Sequence, residues 1–87
     1  MESNKDEIYK RFIKVCESHD KHNGDYVIIE SIKDELKRGL KLDSLDIVEI
    51  AMACEEEFEI KLNDIDICRC VTVEDMVNVI LKELNNK

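Results

Sequence analysis

One hydroxyl in this 87-residue chain stands where the surrounding residue types give it a chemical setting. It belongs to Ser44, in the stretch Leu42-Asp43-Ser44-Leu45-Asp46, at the head of a strongly patterned segment. Asp43 suits the N-cap position and Asp46 falls three residues on, so the first turn carries two carboxylates where the helix dipole favours negative charge. A helix beginning at or next to Ser44 follows. A side chain at the first helical position points away from the core, and a phosphate ester built on it would lie beside backbone N–H groups without intrahelical partners. Ser44 therefore reads as a modification site.

Other constellations carry less chemistry. Cys16 and Cys54 fall on apolar helix faces, where buried thiols are the ordinary outcome. Cys68-Arg69-Cys70 lacks the two-residue spacer of zinc and thioredoxin motifs. Cys16, His19 and His22 are spaced three apart, but histidines in a frayed turn are expected to be solvated. Asp64, Asp66 and Asp75 only faintly echo an EF-hand, since Arg69 replaces the glycine its tight turn needs. No metal site is expected. The only two histidines lie in the first loop, so a serine-hydrolase reading has no base near Ser44, and a non-catalytic protein is expected.

The elements that position Ser44 follow from periodicity. Ile8, Phe12, Val15 and Cys16 recur at helical spacing, giving a first helix over residues 4–18. Asn23-Gly24-Asp25 signals a turn, and a long loop runs from there to residue 43. Its expected anchors are Tyr26, Val27, Ile28 and Ile29. Ser31 with Asp34 resembles a capping box, Ile32 and Leu36 share a face, and Gly39 would end a short turn of helix. Residues 63–69 suggest a short helix with Leu62 and Ile67 inward. Thr72, with Asp75 three on, caps a last helix carrying Val73, Met76, Val77, Ile80, Leu81 and Leu84. The expected fold is all-α, a small bundle of three main helices plus one short helix, with residues 1–87 forming one domain.

The helix starting at Ser44 carries two apolar stripes at roughly 100° per residue. Ile47, Ile50, Ala51, Cys54 and Phe58 form one, which is the core face. Leu45, Val48 and Met52 form the other, roughly 130° away, bordered by Asp46, Glu49, Glu55, Glu56 and Glu59. Four-helix packing that buries both stripes is one reading; with Ser44 at its head, the second stripe reads better as a docking surface, since apolar residues ringed by charge mark partner contacts. Between residues 43 and 66 nine acids face one base, Lys61, so this segment holds the entire net charge of −8. Taken alone such a run is a solvated face, but here it suggests basic partners and disfavours nucleic acid.

The run DSLDIVEIAMACEEEF (43–58), continued by KLND (61–64) and VTVEDMVNVI (71–80), resembles the phosphopantetheine-attachment region of acyl carrier proteins. The likeness covers roughly the second half of the chain. Family members usually have Leu-Gly-Ala or Leu-Gly-Gly before the Asp-Ser pair, where this chain reads Leu40-Lys41-Leu42. They often have a buried phenylalanine at the place of Leu36, and a buried aliphatic residue at that of Cys70. The resemblance implies that Ser44, flanked by Asp43 and Leu45, receives 4′-phosphopantetheine from coenzyme A by a separate holo-carrier-protein synthase (a phosphopantetheinyl transferase). It also implies that acyl intermediates ride the arm as thioesters. Acyltransferases and ketosynthases with basic docking patches would then meet Asp46, Val48, Glu49, Met52, Glu55 and Glu56. DSLD followed by VE leans toward fatty acid biosynthesis; a polyketide or other dedicated pathway is the alternative. The rival from another class is an unmodified acidic interaction module.

Composition bounds the rest. The hydrophobic fraction is 44%, the charged fraction 39%, and proline is absent, which favours helices joined by polar loops. No apolar run reaches the roughly 18 residues of a membrane span, and MESNKDE has no signal-peptide apolar region. A cytoplasmic monomer is expected.

Overall fold

Asn4 opens the first helix by accepting the Glu7 N–H on its side chain at 2.8 Å, and α1 then runs Lys5–Glu17 with Ser18 as its C-cap. The computed structural model describes residues 4–19 and 27–86. Three further helices follow: α2 (Ser44–Phe58), α3 (Asp64–Arg69) and α4 (Val73–Asn85). Among the described residues there is no strand, only an isolated antiparallel bridge between Glu35 and Thr72. The all-α bundle of three main helices and one short helix is thus the observed architecture.

The core assembles from the residues whose spacing predicts it. Ile8, Phe12 and Cys16 bury one face of α1, and Val73, Met76, Val77 and Ile80 bury one face of α4. Ile47, Ile50, Ala51, Cys54 and Phe58 do so for α2, and Ile67 for α3. Leu81, Leu84 and Leu62 pack at the margin. Helix α1 lies against both α4 and α2. Arg11 pins it to the end of α2: its guanidinium lies 4.3 Å above the Phe58 ring and reaches the Glu57 carboxylate at 2.9 Å.

The loop before α2 departs from expectation. The one turn of helix expected before Gly39 forms only at the end of the loop, where the Gly39 N–H reaches the Glu35 carbonyl at 2.9 Å, while the backbone ahead of it is used elsewhere. The Asp34 and Ile32 carbonyls accept the Val73 and Glu74 N–H groups at 2.9 and 2.8 Å, and the Leu36 N–H donates to the Val71 carbonyl at 2.8 Å. The first two amides of α4, which no helix can satisfy internally, take their acceptors from this loop instead. Asp34 still reaches back to the Ser31 N–H at 3.1 Å, but the Ser31 hydroxyl accepts from Lys33, so the capping box is half made. Of the expected anchors Val27 is buried, Ile29 is half-buried and Ile28 is 69% exposed; Tyr26 and His22 lie outside the described residues. Leu36, Leu40 and Leu42 do most of the anchoring.

Thr72 and Asp75 form the expected reciprocal cap on α4. The Asp75 carboxylate also accepts the Val71 N–H at 2.9 Å, and these backbone donors hold it below the usual carboxylate range. Glu74 gathers Lys5 and Lys33 at 2.6 and 2.5 Å, tying the start of α1 and the loop to the start of α4.

The Gly39 and Leu40 N–H groups both donate to the Glu35 carbonyl, at 2.9 and 2.8 Å. A Cβ at Gly39 would stand 2.7 Å from that oxygen and 3.0 Å from the Glu35 nitrogen, both backbone atoms with little freedom to retreat. Gly39→Ala should therefore destabilise by about 1–3 kcal/mol, the range of forced overpacking, and lower the thermal midpoint by several degrees. An unchanged midpoint would show that this turn gives way freely.

Candidate functional site

Ser44 is the first residue of α2 and is exposed. Asp43 caps the helix: its Oδ1 accepts the Asp46 N–H at 2.8 Å, and Asp46 Oδ2 accepts the Asp43 N–H at 3.1 Å. This reciprocal box fixes the backbone on both sides of Ser44 and leaves its hydroxyl outside the arrangement. Behind Ser44, Leu42 and Ile47 are buried, so the chain enters the helix anchored on its inner side.

Asp46 corrects the sequence expectation. It does not border the docking stripe; it is 2% exposed. Its second oxygen lies 2.9 Å from His19 Nε2, whose N–H can donate to it. His19, expected to be solvated, is instead largely covered where α1 ends. A carboxylate can be buried here because one oxygen meets an amide and the other an imidazole. The Asp-x-x-Asp spacing signals the cap, but no local pattern joins His19 to a residue 27 positions away.

The second stripe is outside, as expected of a docking surface: Leu45, Val48 and Met52 are 56%, 49% and 60% exposed. Its rim is thinner than the sequence suggests. Glu49 is half-buried, and Glu55 Oε2 accepts the Leu62 N–H at 2.8 Å, holding the turn into α3. Glu56 and Glu59 remain fully on the surface. Ile65 on α3 adds a further exposed apolar side chain.

A groove between α2 and α3 begins at Ser44. Its first part, about 110 Å³, is lined by Ser44, Lys37, Ile47, Val48, Ile67, Cys68 and Cys70. It shares Val48, Ile67 and Cys68 with a larger part of about 370 Å³ bounded by Met52, Glu55 and Leu62. Among the described residues no group of three His, Cys, Asp or Glu side chains is placed to hold a metal ion. Cys16 and Cys54 are in the core; burial pushes both thiols up, that of Cys54 to about 12 with Glu57 and Glu55 adding to it. Cys70 is pushed up to about 11 by burial and then by Asp75 and Asp66, and its thiol donates to the Asp66 carbonyl at 3.2 Å. Cys68 alone of the four is exposed.

The chain has counterparts among known proteins. A family profile described as "Phosphopantetheine attachment site" matches residues 28–80. The mitochondrial acyl carrier protein of Neurospora crassa is 39% identical over 79 residues, covering 91% of this chain and 58% of that protein. The acyl carrier protein of Cyanidium caldarium is 35% identical over 83 residues, covering 95% of this chain and 93% of that one. The chain therefore belongs to the phosphopantetheine-attachment family, among its acyl carrier proteins. The crystal structure of an acyl carrier protein from Thermotoga maritima shares the fold, with a TM-score of 0.77 at 21% identity over 94% of this chain and 92% of that one. Proteins of this family carry 4′-phosphopantetheine covalently, and the exposed hydroxyl, with open space beside it, fits such a group.

The geometry separates the two acids that the sequence treats alike. Asp46→Ala removes a cap and a buried carboxylate with its His19 contact, and should destabilise by about 1–3 kcal/mol. Glu56→Ala touches only the surface and should stay within about 0.5 kcal/mol. Denaturant melts of the two variants measure this directly; equal midpoints would return Asp46 to the surface.

Proposed function

We propose that Ser44 is the attachment point of 4′-phosphopantetheine and that the protein carries acyl groups on that arm in fatty acid biosynthesis. The observation that carries this reading is the exposed Ser44 hydroxyl at the first position of α2, with the Asp43–Asp46 box closed behind it. In the modification, the serine oxygen forms a new bond to the phosphorus nearest the pantetheine of coenzyme A. The phosphoanhydride breaks and adenosine 3′,5′-bisphosphate leaves, while the hydroxyl proton passes to a base on the transferase. The arm when attached supplies a thiol that holds acyl groups as thioesters. This chain's part is attachment and recognition. Asp43 and Leu45 frame the serine, and Val48 and Met52 with Glu56 present a contact surface to the synthase, acyltransferases and ketosynthases.

Ser44→Ala should abolish the mass gain of one phosphopantetheine on incubation with coenzyme A and a broad-specificity transferase, while the helical circular dichroism stays unchanged. A persisting gain would move the site. No gain on the unaltered chain would favour the unmodified interaction module.

Docking divides into two kinetic parts. Charges at a rim act mainly on association and weaken with salt, whereas a central apolar anchor acts on dissociation. Glu56→Lys should slow association with the transferase and flatten its salt dependence. Met52→Ala should speed dissociation, by a change worth about 1 kcal/mol or more. Met52→Ala should leave the melting midpoint in place, unlike Ile50→Ala, whose side chain is 2% exposed and whose loss costs about 2–5 kcal/mol. Equal destabilisation by both would overturn the docking surface.

A further inference from the structure

The loop ahead of Ser44 has the opposite sign to the helix behind it. Lys37, Arg38 and Lys41 stand within seven residues of the serine, all exposed, in a chain whose net charge is −8. Lys5, Lys33 and Arg11 are engaged with Glu74 and Glu57. The three loop cations, in contrast, have no acidic partner among the described residues. Lys41 holds a left-handed backbone with φ 60°, where glycine would sit without strain. Lys37 has the more direct placement, since it lines the same cavity as Ser44.

An anionic ester on Ser44 needs such a cation. The N3 amide of α2, that of Asp46, is already taken by the carboxylate of Asp43, the residue just before the serine, while Asp46 turns inward to His19. A phosphodiester there adds a negative charge next to Asp43 at the head of an acidic helix. The helix N-terminus by itself leaves this crowding uncompensated, whereas a lysine ammonium suits phosphate as a compact charge on a flexible stem.

We propose that Lys37 is a positioning residue for the phosphodiester of the Ser44-linked arm. Its ammonium pairs with the phosphate and turns the arm over the groove between α2 and α3, away from Asp43, while Arg38 and Lys41 strengthen the local field. This rests on Ser44 being the attachment point.

The test uses the holo-protein made with the transferase, comparing the unaltered chain with Lys37→Gln and Lys37→Arg. Phosphorus NMR of the arm is followed from about 0.01 M to about 0.5 M salt, across which the screening length falls from ~30 Å to a few Å. The expected result is a resonance that moves with salt in the unaltered and Lys37→Arg proteins. In Lys37→Gln it should sit at the high-salt position throughout. Amide shifts of Ile67, Cys68 and Cys70 between apo and holo forms should be lost in Lys37→Gln alone. A merely structural role for Lys37 would change the apo spectrum and the melting midpoint and leave the salt response intact. Identical responses in all three proteins, with the arm attached, overturn the proposal and spare the attachment reading. Absence of the mass gain removes both. Inorganic phosphate added to the apo-protein should leave these amides in place, and shifts as large as those of the holo form would mark a general anion site and overturn the assignment.

Discussion

A buried carboxylate governs this structure. Asp46 closes the first turn of α2 with one oxygen and meets His19 with the other, so one side chain sets where α2 begins and draws the end of α1 to it. Removing two oxygens from water is tolerable only because each finds a donor. The consequence reaches Ser44. With its neighbours' backbone fixed on both sides, the serine lies exposed at the first position of α2 and its hydroxyl is not spent on capping.

The same economy runs along α2. Its acids look like a uniform negative field in the sequence, but the structure divides them. Asp43 and Asp46 cap, Glu55 holds the Leu62 amide at the turn into α3, and Glu57 grips Arg11 beside Phe58. Glu56 and Glu59 are left at the surface. Exposed pairs of this kind contribute little to stability individually, so an acidic surface serves encounter more than folding. The apolar stripe between them stays uncovered, with Leu45, Val48 and Met52 all about half exposed or more.

How much of this the sequence discloses depends on distance along the chain. Helix limits, the N-caps Asp43 and Thr72, and every apolar core position of α2 follow from spacings of three and four residues, which local physics fixes. The errors are all long-range. The turn that Gly39 closes is confined to residues 35–39, because the carbonyls of Ile32 and Asp34 are taken by the first amides of α4. His19 finds Asp46 across 27 residues, and Ile28 faces outward because Val27 takes the inward place in an extended segment where side chains alternate. Periodicity has nothing to say about such contacts, since each depends on where another element lands.

Lys41 shows how packing holds a lysine in a backbone conformation that suits glycine. Where relatives usually place glycine ahead of the Asp-Ser pair, this chain has lysine, and the structure holds it at the left-handed φ of 60° that glycine would adopt freely. The conformation is set by its neighbours: Leu40 and Leu42 are both buried, and the Leu42 N–H bonds to the Leu36 carbonyl at 3.0 Å. With the residues on each side turned into the core, the one between must bear the reversal of the backbone, at a strain of about 1 kcal/mol for a residue with a Cβ. That strain is smaller than the loss of two buried leucines, so packing wins and the loop keeps its path. Ser44 thereby stays at the first position of α2 although a cation, Lys41, stands three residues before it.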